Sequence, residues 1–380
     1  MLRHADGEFS PFHGMRYADS RSSGGDEIEG ATMGRRSTEQ GSGNGRAGTA
    51  PELAPPDVVV KRVGRRAADA APKPDFALRD PDTRVYVGDC RELLPRIPEC
   101  ARGEVDLIFA DPPFNWNRAY DEWDDSMPAD DYLRFTYQWL DACINALKPT
   151  GSLWVNIPDD WAAEIVVYLK GSRDHRHRPR APLHMVNWCI WHYRFGQNTS
   201  GRFINSKVHV LYFSKHPFKR TWNEEPILEP SDRATTYFDP RTHNKKEGKS
   251  GMRVPLDVWY GKYWGRIQGN NFERRRRHDN QIPEVYLERV IRACSNEGDL
   301  VLDPFLGSGT TGTVARALHR RSIGIEFSAA NAASSFERIR QGPVRVRKDQ
   351  PTRNASAIFT PRAIGPKTRA RLDKAGAHKV

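Results

Sequence analysis

Asp299-Leu300-Val301-Leu302-Asp303-Pro304-Phe305-Leu306-Gly307-Ser308-Gly309-Thr310-Thr311-Gly312 is the stretch on which the fold turns. Residues 299–303 are a short apolar run of the kind that forms a buried strand. The glycines that follow let backbone approach a ligand closely and let a helix pack tightly on a strand. A helix is predicted from about residue 311 to 318, and a second strand at 322–326, ending in Glu326. Gly307-x-Gly309-x-x-Gly312 fits the dinucleotide fingerprint, and Glu326 lies at the spacing expected of a carboxylate that holds a ribose. A turn that merely packs would explain the glycines alone; the complete order of strand, turn, helix, strand and acid argues against it.

Working outward, the same alternation recurs towards the N-terminus. Residues 85–87 read as a strand ending at Gly88-Asp89, with a helix beginning at 92–94. Residues 105–110 read as a buried strand that runs into Asp111-Pro112-Pro113-Phe114. After Pro128, Tyr132, Phe135, Trp139, Leu140, Cys143 and Leu147 recur at three- and four-residue steps, an amphipathic helix that Pro149-Thr150-Gly151 stops. Residues 152–157 form the next strand. Between about 196 and 280 the rhythm is lost in a polar stretch studded with Trp222, Tyr237, Trp259, Tyr260, Tyr263 and Trp264. It resumes at Pro283 with a helix through Val285, Leu287, Val290 and Ile291. Helix alternating with strand predicts an α/β fold, a parallel sheet covered by helices.

Asp111-Pro112-Pro113-Phe114 stands just past a strand end, where such a sheet places its ligand crevice. Two prolines stiffen the turn and remove backbone donors. The Asp111 carboxylate and the Pro112 carbonyl can then accept the two hydrogens of one –NH₂ group. An amine on an aromatic ring is a poor nucleophile because its lone pair is delocalised; two acceptors favour a pyramidal nitrogen and free that pair. Phe114 offers a flat face for a base. A plain proline turn would account for the first three residues, but not for their pairing with the glycine turn.

Composition sets the frame. The chain has 380 residues and a formal net charge of +11, which points to an anionic partner. Residues 1–75 carry eleven basic and eleven acidic side chains, whereas 341–380 carry ten basic and two acidic, so the excess is concentrated in the C-terminal tail. Both segments, poor in large apolar residues, read as disordered. The five cysteines show neither a C-x-x-C pair nor a zinc spacing, so no metal site and no disulfide framework are expected. Without an apolar run of spanning length or a signal-peptide core, a soluble cytoplasmic protein is expected.

The ordered blocks resemble the amino-methylating DNA methyltransferases of the β arrangement, over about residues 80–340. The resemblance rests on V-G-D-C-R-E-L-L (87–94), V-D-L-I-F-A-D-P-P-F-N (105–115), L-K-P-T-G-S-L-W-V-N-I (147–157) and L-V-L-D-P-F-L-G-S-G-T-T (300–311). The D-P-P-F block precedes the glycine block, the permuted order of that group. The order argues against ribosomal-RNA and protein-glutamine methyltransferases, whose N-P-P-Y follows the cofactor loop. The resemblance implies a Rossmann-like, S-adenosylmethionine-dependent catalytic domain at 76–340, with a target-recognition region at about 196–280 and tails at 1–75 and 341–380. It implies that Asp111, Pro112, Pro113 and Phe114 hold and activate a flipped base. Asp303, Phe305, Gly307, Gly309 and Thr310 would line the cofactor, Glu326 would bind its ribose, and Asp89 would lie near its adenine. Asp at the first motif position leans towards adenine N6, since cytosine-N4 enzymes of the family more often carry Ser there. Phe114 replaces a commoner Tyr, Ile282 a usual Lys, and Val208 a frequent Glu.

Double-stranded DNA is the implied partner. Arg274-Arg275-Arg276-Arg277, with Arg202 and Lys207, are candidates for phosphate contact, against the plainer reading of a solvated linker. The aromatic residues at 259–264 are expected to pack a small subdomain. A homodimer and a cognate restriction endonuclease are both compatible with the sequence. Rival readings are an RNA methyltransferase, a catalytically silent DNA-binding protein, and an NAD-dependent oxidoreductase. The last leaves D-P-P-F unexplained. Carbon-5 methylation would need a Pro-Cys nucleophile, and no Pro-Cys pair occurs.

Overall fold

The computed structural model describes residues 71–344, save 119–122, 124, 172–180, 194–198, 243–248, 262–263, 268–270, 272, 276–277 and 279. The tails expected to be disordered lie outside the described residues except at 71–75 and 341–344. In chain order the elements are β1 (Phe76–Leu78), β2 (Thr83–Val87), α1 (Cys90–Leu93), α2 (Pro98–Ala101), β3 (Val105–Ala110), α3 (Ala129–Ala146), β4 (Leu147–Ile157), α4 (Asp159–Lys170), β5 (His184–His192) and β6 (Lys207–Ser214). There follow β7 (Glu229–Pro230), α5 (Asp232–Thr235), β8 (Met252–Arg253), β9 (Val258–Trp259), α6 (Glu284–Cys294), β10 (Leu300–Asp303), α7 (Thr310–Ala317), β11 (Arg321–Glu326) and α8 (Ala329–Gln341).

Nine strands form one sheet in the order β1-β2-β11-β10-β3-β4-β6-β5-β9. The five from β2 to β4 are mutually parallel, whereas β6 runs antiparallel to both β4 and β5. Parallel strands are covered on both faces, and β3 and β10 accordingly read as near-continuous buried runs. From β3 the chain passes through α3 to β4 on one side; from β10 it passes through α7 to β11 on the other. The space beyond the carboxyl ends of β3 and β10 is therefore a topological switch point, where α/β sheets bind ligands.

The periodic segments fold as expected. In α3, Tyr132, Phe135, Trp139, Leu140 and Cys143 are all buried, and Asp130 and Asp131 in the first turn suit the positive end of the helix dipole. Two boundaries differ. The strand expected from residue 152 begins at Leu147, which pairs with Val105 before a register shift brings Ser152 opposite Leu107, so that Lys148, Pro149 and Thr150 form an irregularity within the strand. The first helix starts at Cys90, with the Asp89 carboxylate capping it by accepting the Arg91 N–H at 2.8 Å. The middle stretch is also less irregular than its polarity suggests. Val208, Val210, Leu211, Tyr212 and Phe213 are buried, which makes β6 an interior strand paired along β4. Trp259 and Trp264 are buried against Tyr286 of α6, so they extend the main core rather than packing a subdomain of their own.

Candidate active site

A cavity of about 490 Å³ opens at the switch point. That lies within the roughly 300–1,000 Å³ of pockets that enclose a drug-sized ligand. Two turns meet there, one after each central strand.

The turn after β10 is held by its own backbone: Phe305 N–H donates to Asp303 Oδ1 at 2.9 Å, Leu306 N–H to the Ile325 carbonyl at 2.8 Å and Gly309 N–H to the Leu306 carbonyl at 2.8 Å. Gly307 (φ 49°) and Gly309 (φ 75°) adopt left-handed conformations that glycine takes without strain. Gly309 also lies so close to α8 that an added Cβ would stand 3.0 Å from the Ser335 carbonyl oxygen. Glu326, at the end of β11, braces the turn: one carboxylate oxygen accepts the Gly307 N–H (2.8 Å), the other the Ser328 N–H (3.1 Å). From behind, the fully buried Arg338 guanidinium donates to the Ser308 carbonyl (3.1 Å) and to the Thr310 hydroxyl (2.7 Å), and pairs with the equally buried Glu284 at 3.2 Å. The Ser335 hydroxyl donates to the Gly307 carbonyl.

The turn after β3 is built to present acceptors. The Pro113 carbonyl takes the Tyr132 hydroxyl (2.6 Å) and the Phe114 carbonyl takes the Trp161 indole N–H (3.0 Å). Asn115 (φ 58°) and Asn117 (φ 54°) are left-handed. Their loop is gathered by the buried Asp125, which accepts the N–H groups of Asn115 (2.8 Å), Trp116 (2.9 Å) and Arg118 (3.1 Å). Asp111 Oδ1 accepts from Asn156 Nδ2 at 2.6 Å, and Asn156 Oδ1 in turn accepts the Tyr286 hydroxyl at 3.1 Å. Among the described residues nothing donates to Asp111 Oδ2 or to the Pro112 carbonyl.

Burial pushes the Asp111 carboxyl up to about 7, with the Asn156 hydrogen bond opposing the rise and nearby Asp303 adding to it. Burial likewise raises Asp303 to about 7, against hydrogen bonds from Thr311 and the Phe305 N–H. Two recessed carboxyls at adjacent strand ends thus face one cavity.

Of the residues singled out in the sequence, Asp89, Asp111, Pro112, Pro113, Phe114, Asp303, Phe305, Gly307, Thr310 and Glu326 all line this cavity. Gly309 does not; it packs on α8. Asp89 is engaged by Arg91, at 2.6 Å in the closest contact. Asp111 and Phe114 also border a narrow second recess with Trp116, Trp191, Tyr193, Val208 and Arg266. The basic candidates differ in exposure. Arg202 and Arg274 are exposed and Arg275 is half-buried, whereas Lys207 is held by Asp159 at 2.8 Å. Arg276 and Arg277 lie outside the described residues. The sequence reading did not find Asp125, Asn156, Tyr286, Glu284 or Arg338. It also passed over two aromatic residues of the cavity wall, Trp123 and Phe327, whose rings meet at 5.9 Å. Asn156 alone left a signal, a polar residue in the apolar run of a central strand.

The donor set fits an adenosine bearing a cationic sulfonium chain. Aromatic surface from Phe305, Phe327 and Trp123, the carboxyl group of Glu326 and those of Asp111 and Asp303 are all in one cavity. Among the described residues no group of side chains has a metal-binding arrangement, and no helix is long and apolar enough to cross a membrane.

Comparison with known proteins agrees. A DNA methylase family model of the N6/N4 type matches residues 105–336. The Type II methyltransferase M.HpaI of Haemophilus parainfluenzae is 30% identical over 250 residues, 66% of this chain and 73% of its own. M.BamHI of Bacillus amyloliquefaciens is 34% identical over 248 residues, 64% of this chain and 54% of its own. Among solved structures, the cytosine-N4-specific PvuII DNA methyltransferase covers 80% of this chain and 95% of its own, at 17% identity and a TM-score of 0.49. The chain belongs to the N6/N4 DNA methylase family and is an S-adenosylmethionine-dependent DNA methyltransferase.

Proposed function

We propose that the enzyme methylates the N6 amine of adenine at a specific site in double-stranded DNA, on a base swung out of the helix. The observation that carries this reading is the pair of acceptors left open in the turn after β3, Asp111 Oδ2 and the Pro112 carbonyl, at the junction of the cavity and the narrow recess. They take the two hydrogens of one exocyclic amine and draw its nitrogen towards a pyramidal geometry. When bound, S-adenosylmethionine supplies an electrophilic methyl group. The ionised Asp111 carboxylate is the acceptor for the proton the amine gives up, and a group near neutrality suits that task. Phe114, edge-on to Trp116 at 5.1 Å, keeps a ring beside the amine site. A base still paired and stacked in a duplex cannot bring its amine into so recessed a turn. Carboxylate rather than hydroxyl at position 111 favours adenine over cytosine.

On the cofactor side, Phe305, Gly307 and Thr310 form the wall, Glu326 takes the ribose hydroxyls and Asp303 faces the cationic chain. Gly309 serves through its packing. Residues 76–340 act as the catalytic domain, with recognition assigned to the part of 196–280 outside β6. Exposed Arg202 and Arg274 are the described candidates for phosphate contact. Lys207, paired with Asp159 at the surface, and half-buried Arg275 are further candidates. The enzyme would act in the cytoplasm and protect its site from a cognate restriction endonuclease. Self-association belongs to the same proposal and is read by sedimentation.

The deciding experiment incubates the protein and an Asp111→Ala variant with S-adenosylmethionine and unmethylated genomic DNA, followed by mass spectrometry of the nucleosides. New N6-methyladenine, absent with the variant, supports the reading. N4-methylcytosine overturns the choice of base, and product on competing RNA but not DNA overturns the choice of substrate.

A further inference from the structure

We propose that Asn156, oriented by Tyr286, is a positioning residue for amine transfer: it occupies Asp111 Oδ1 and so reserves Oδ2, as an acceptor, for the substrate amine. The inference rests on the function proposed above and concerns residues which that function leaves without a role.

The argument is one of hydrogen-bond polarity. Tyr286 is completely buried on α6, edge-on to Phe109, Trp191 and Trp259, with ring centroids at 5.6, 5.5 and 5.3 Å. Burial raises its phenol well above the ordinary value, with Asp111 and Cys189 adding to the rise, so it stays protonated and donates. The atom it donates to, 3.1 Å away, must be the oxygen of the Asn156 amide. An amide so fixed can offer Asp111 only its NH₂, and does so at 2.6 Å. Oδ1 is therefore held as an acceptor, and any proton Asp111 takes up goes to Oδ2, which has no partner among the described residues.

The chain also spans the sheet's interior. Asn156 is 1% exposed on β4 and pairs in register with Val210 of β6, so neither its backbone nor its side chain has room to turn. An amide in a buried strand carries a desolvation penalty unless satisfied. Here both ends are satisfied, by one residue that cannot ionise at working pH and one that must.

The groups that bear on Asp111 are otherwise of mixed sign. Asp303 on β10 opposes its ionisation. Asp89, Glu326, Arg118 and His278 share its cavity, and Arg266 borders the recess beyond it. Loss of the Asn156 donor leaves burial and Asp303 unopposed by any hydrogen bond that the described residues make to Asp111, so the carboxyl titrates higher.

The test uses full-length Asn156→Ala, Asn156→Asp and Tyr286→Phe. Hydrogen bonds to charged groups are worth about 1.5–3 kcal/mol, or roughly a tenfold to hundredfold change. The expected result is a kcat lowered about tenfold to a hundredfold in Asn156→Ala, with DNA KM and cofactor Kd within about threefold of the parent. The acid limb of kcat should move up by about one pH unit. Asn156→Asp, which places a second carboxyl against the first, should move it further, and Tyr286→Phe less. An independent readout in the cofactor-free protein is the Asp111 carboxylate band in infrared difference spectra against Asp111→Asn, which should titrate higher in Asn156→Ala. A kcat and a carboxylate titration unchanged in Asn156→Ala would overturn the proposal. So would an activity loss in a folded Asn156→Ala without any movement of the acid limb. If the parent protein methylates no DNA amine while the infrared titration still shifts, the proposed function fails and Asn156's hold on Asp111 stands.

Discussion

The two turns beyond β3 and β10 sit side by side, begin with an aspartate each, and are opposite in what they offer. The turn at 303–309 uses glycine, turns its N–H groups inward onto Asp303, Ile325, Glu326 and Leu306, and is braced from behind by a buried cation (Arg338). The turn at 111–117 uses two prolines, gives up N–H groups, and is braced by donors (Tyr132, Trp161 and Asn156), while Asp125 gathers the N–H groups of its far end. One turn is therefore satisfied within itself and forms a rigid wall, while the other leaves acceptors open for a ligand's amine. Placing a rigid wall and open acceptors on adjacent strand ends brings an electrophile and an amine together without any side chain having to move far.

The largest expected effect separates the two. Asp111→Ala removes an acceptor for the amine but leaves the glycine turn whole. Methyl transfer to DNA should fall about a thousandfold or more, within the range seen when a group acting in proton transfer is lost. Cofactor affinity by calorimetry should change less than about threefold. A parallel loss of cofactor binding would mean that the two turns are not independent.

Next in size is Arg338→Met. It takes the cation from beneath the glycine turn and removes one partner of the buried Glu284, which keeps the Val344 N–H at 3.0 Å; losing one member of a buried pair costs up to about 3–5 kcal/mol. Urea unfolding should show that loss. Cofactor affinity should fall with it, since Ser308 and Thr310 lose the guanidinium that fixes them. Unchanged stability would argue that the guanidinium serves the turn's geometry and not the stability of the fold. Gly309→Ala is smaller: strain at φ 75° and contact with α8 together should cost about 1–3 kcal/mol, and raise the cofactor Kd without altering the pH profile of the chemical step.

How much of this was legible in the sequence follows from the same contrast. Turn chemistry is local, so the glycines at 307 and 309 and the prolines at 112 and 113 announced both turns and the strands before them. What braces the turns is long-range. Arg338 and Glu284 stand 54 residues apart, and Tyr286 and Asn156 130 apart, in segments whose own periodicity says only that they are half-buried helix or strand. β6 was passed over for a related reason: its apolar run follows a polar, glycine-containing stretch that dominates any window including both. A lone lysine in sequence likewise carries no sign of a partner such as Asp159, 48 residues from Lys207.

The smallest effect concerns the feature the turns share. Asp111 and Asp303 both titrate near 7 in the folded protein, against 3.8 for an ordinary aspartate. A carboxyl whose folded value is raised binds more protons folded than unfolded between those limits, so the stability it contributes is full below about 3.8 and is lost as pH rises through about 7. Activity runs the other way, because Asp111 accepts hydrogens only when ionised, and kcat should decline as pH falls below about 7. Asp303→Asn distinguishes the two. It keeps an acceptor for the Phe305 N–H but cannot ionise, so the cofactor-free variant should gain about 1 kcal/mol over the parent at pH 8, less than about half of that at pH 5 and almost nothing below about pH 4. The figure is well below the full shift because the two carboxyls oppose each other and border an open cavity. A cationic ligand in that cavity would favour ionisation, so cofactor binding at pH 6 should release protons and the gain should shrink as cofactor is added. Equal stability changes at pH 5 and pH 8 would instead place the Asp303 titration outside this window, and the likeness between the two aspartates would then be one of position only.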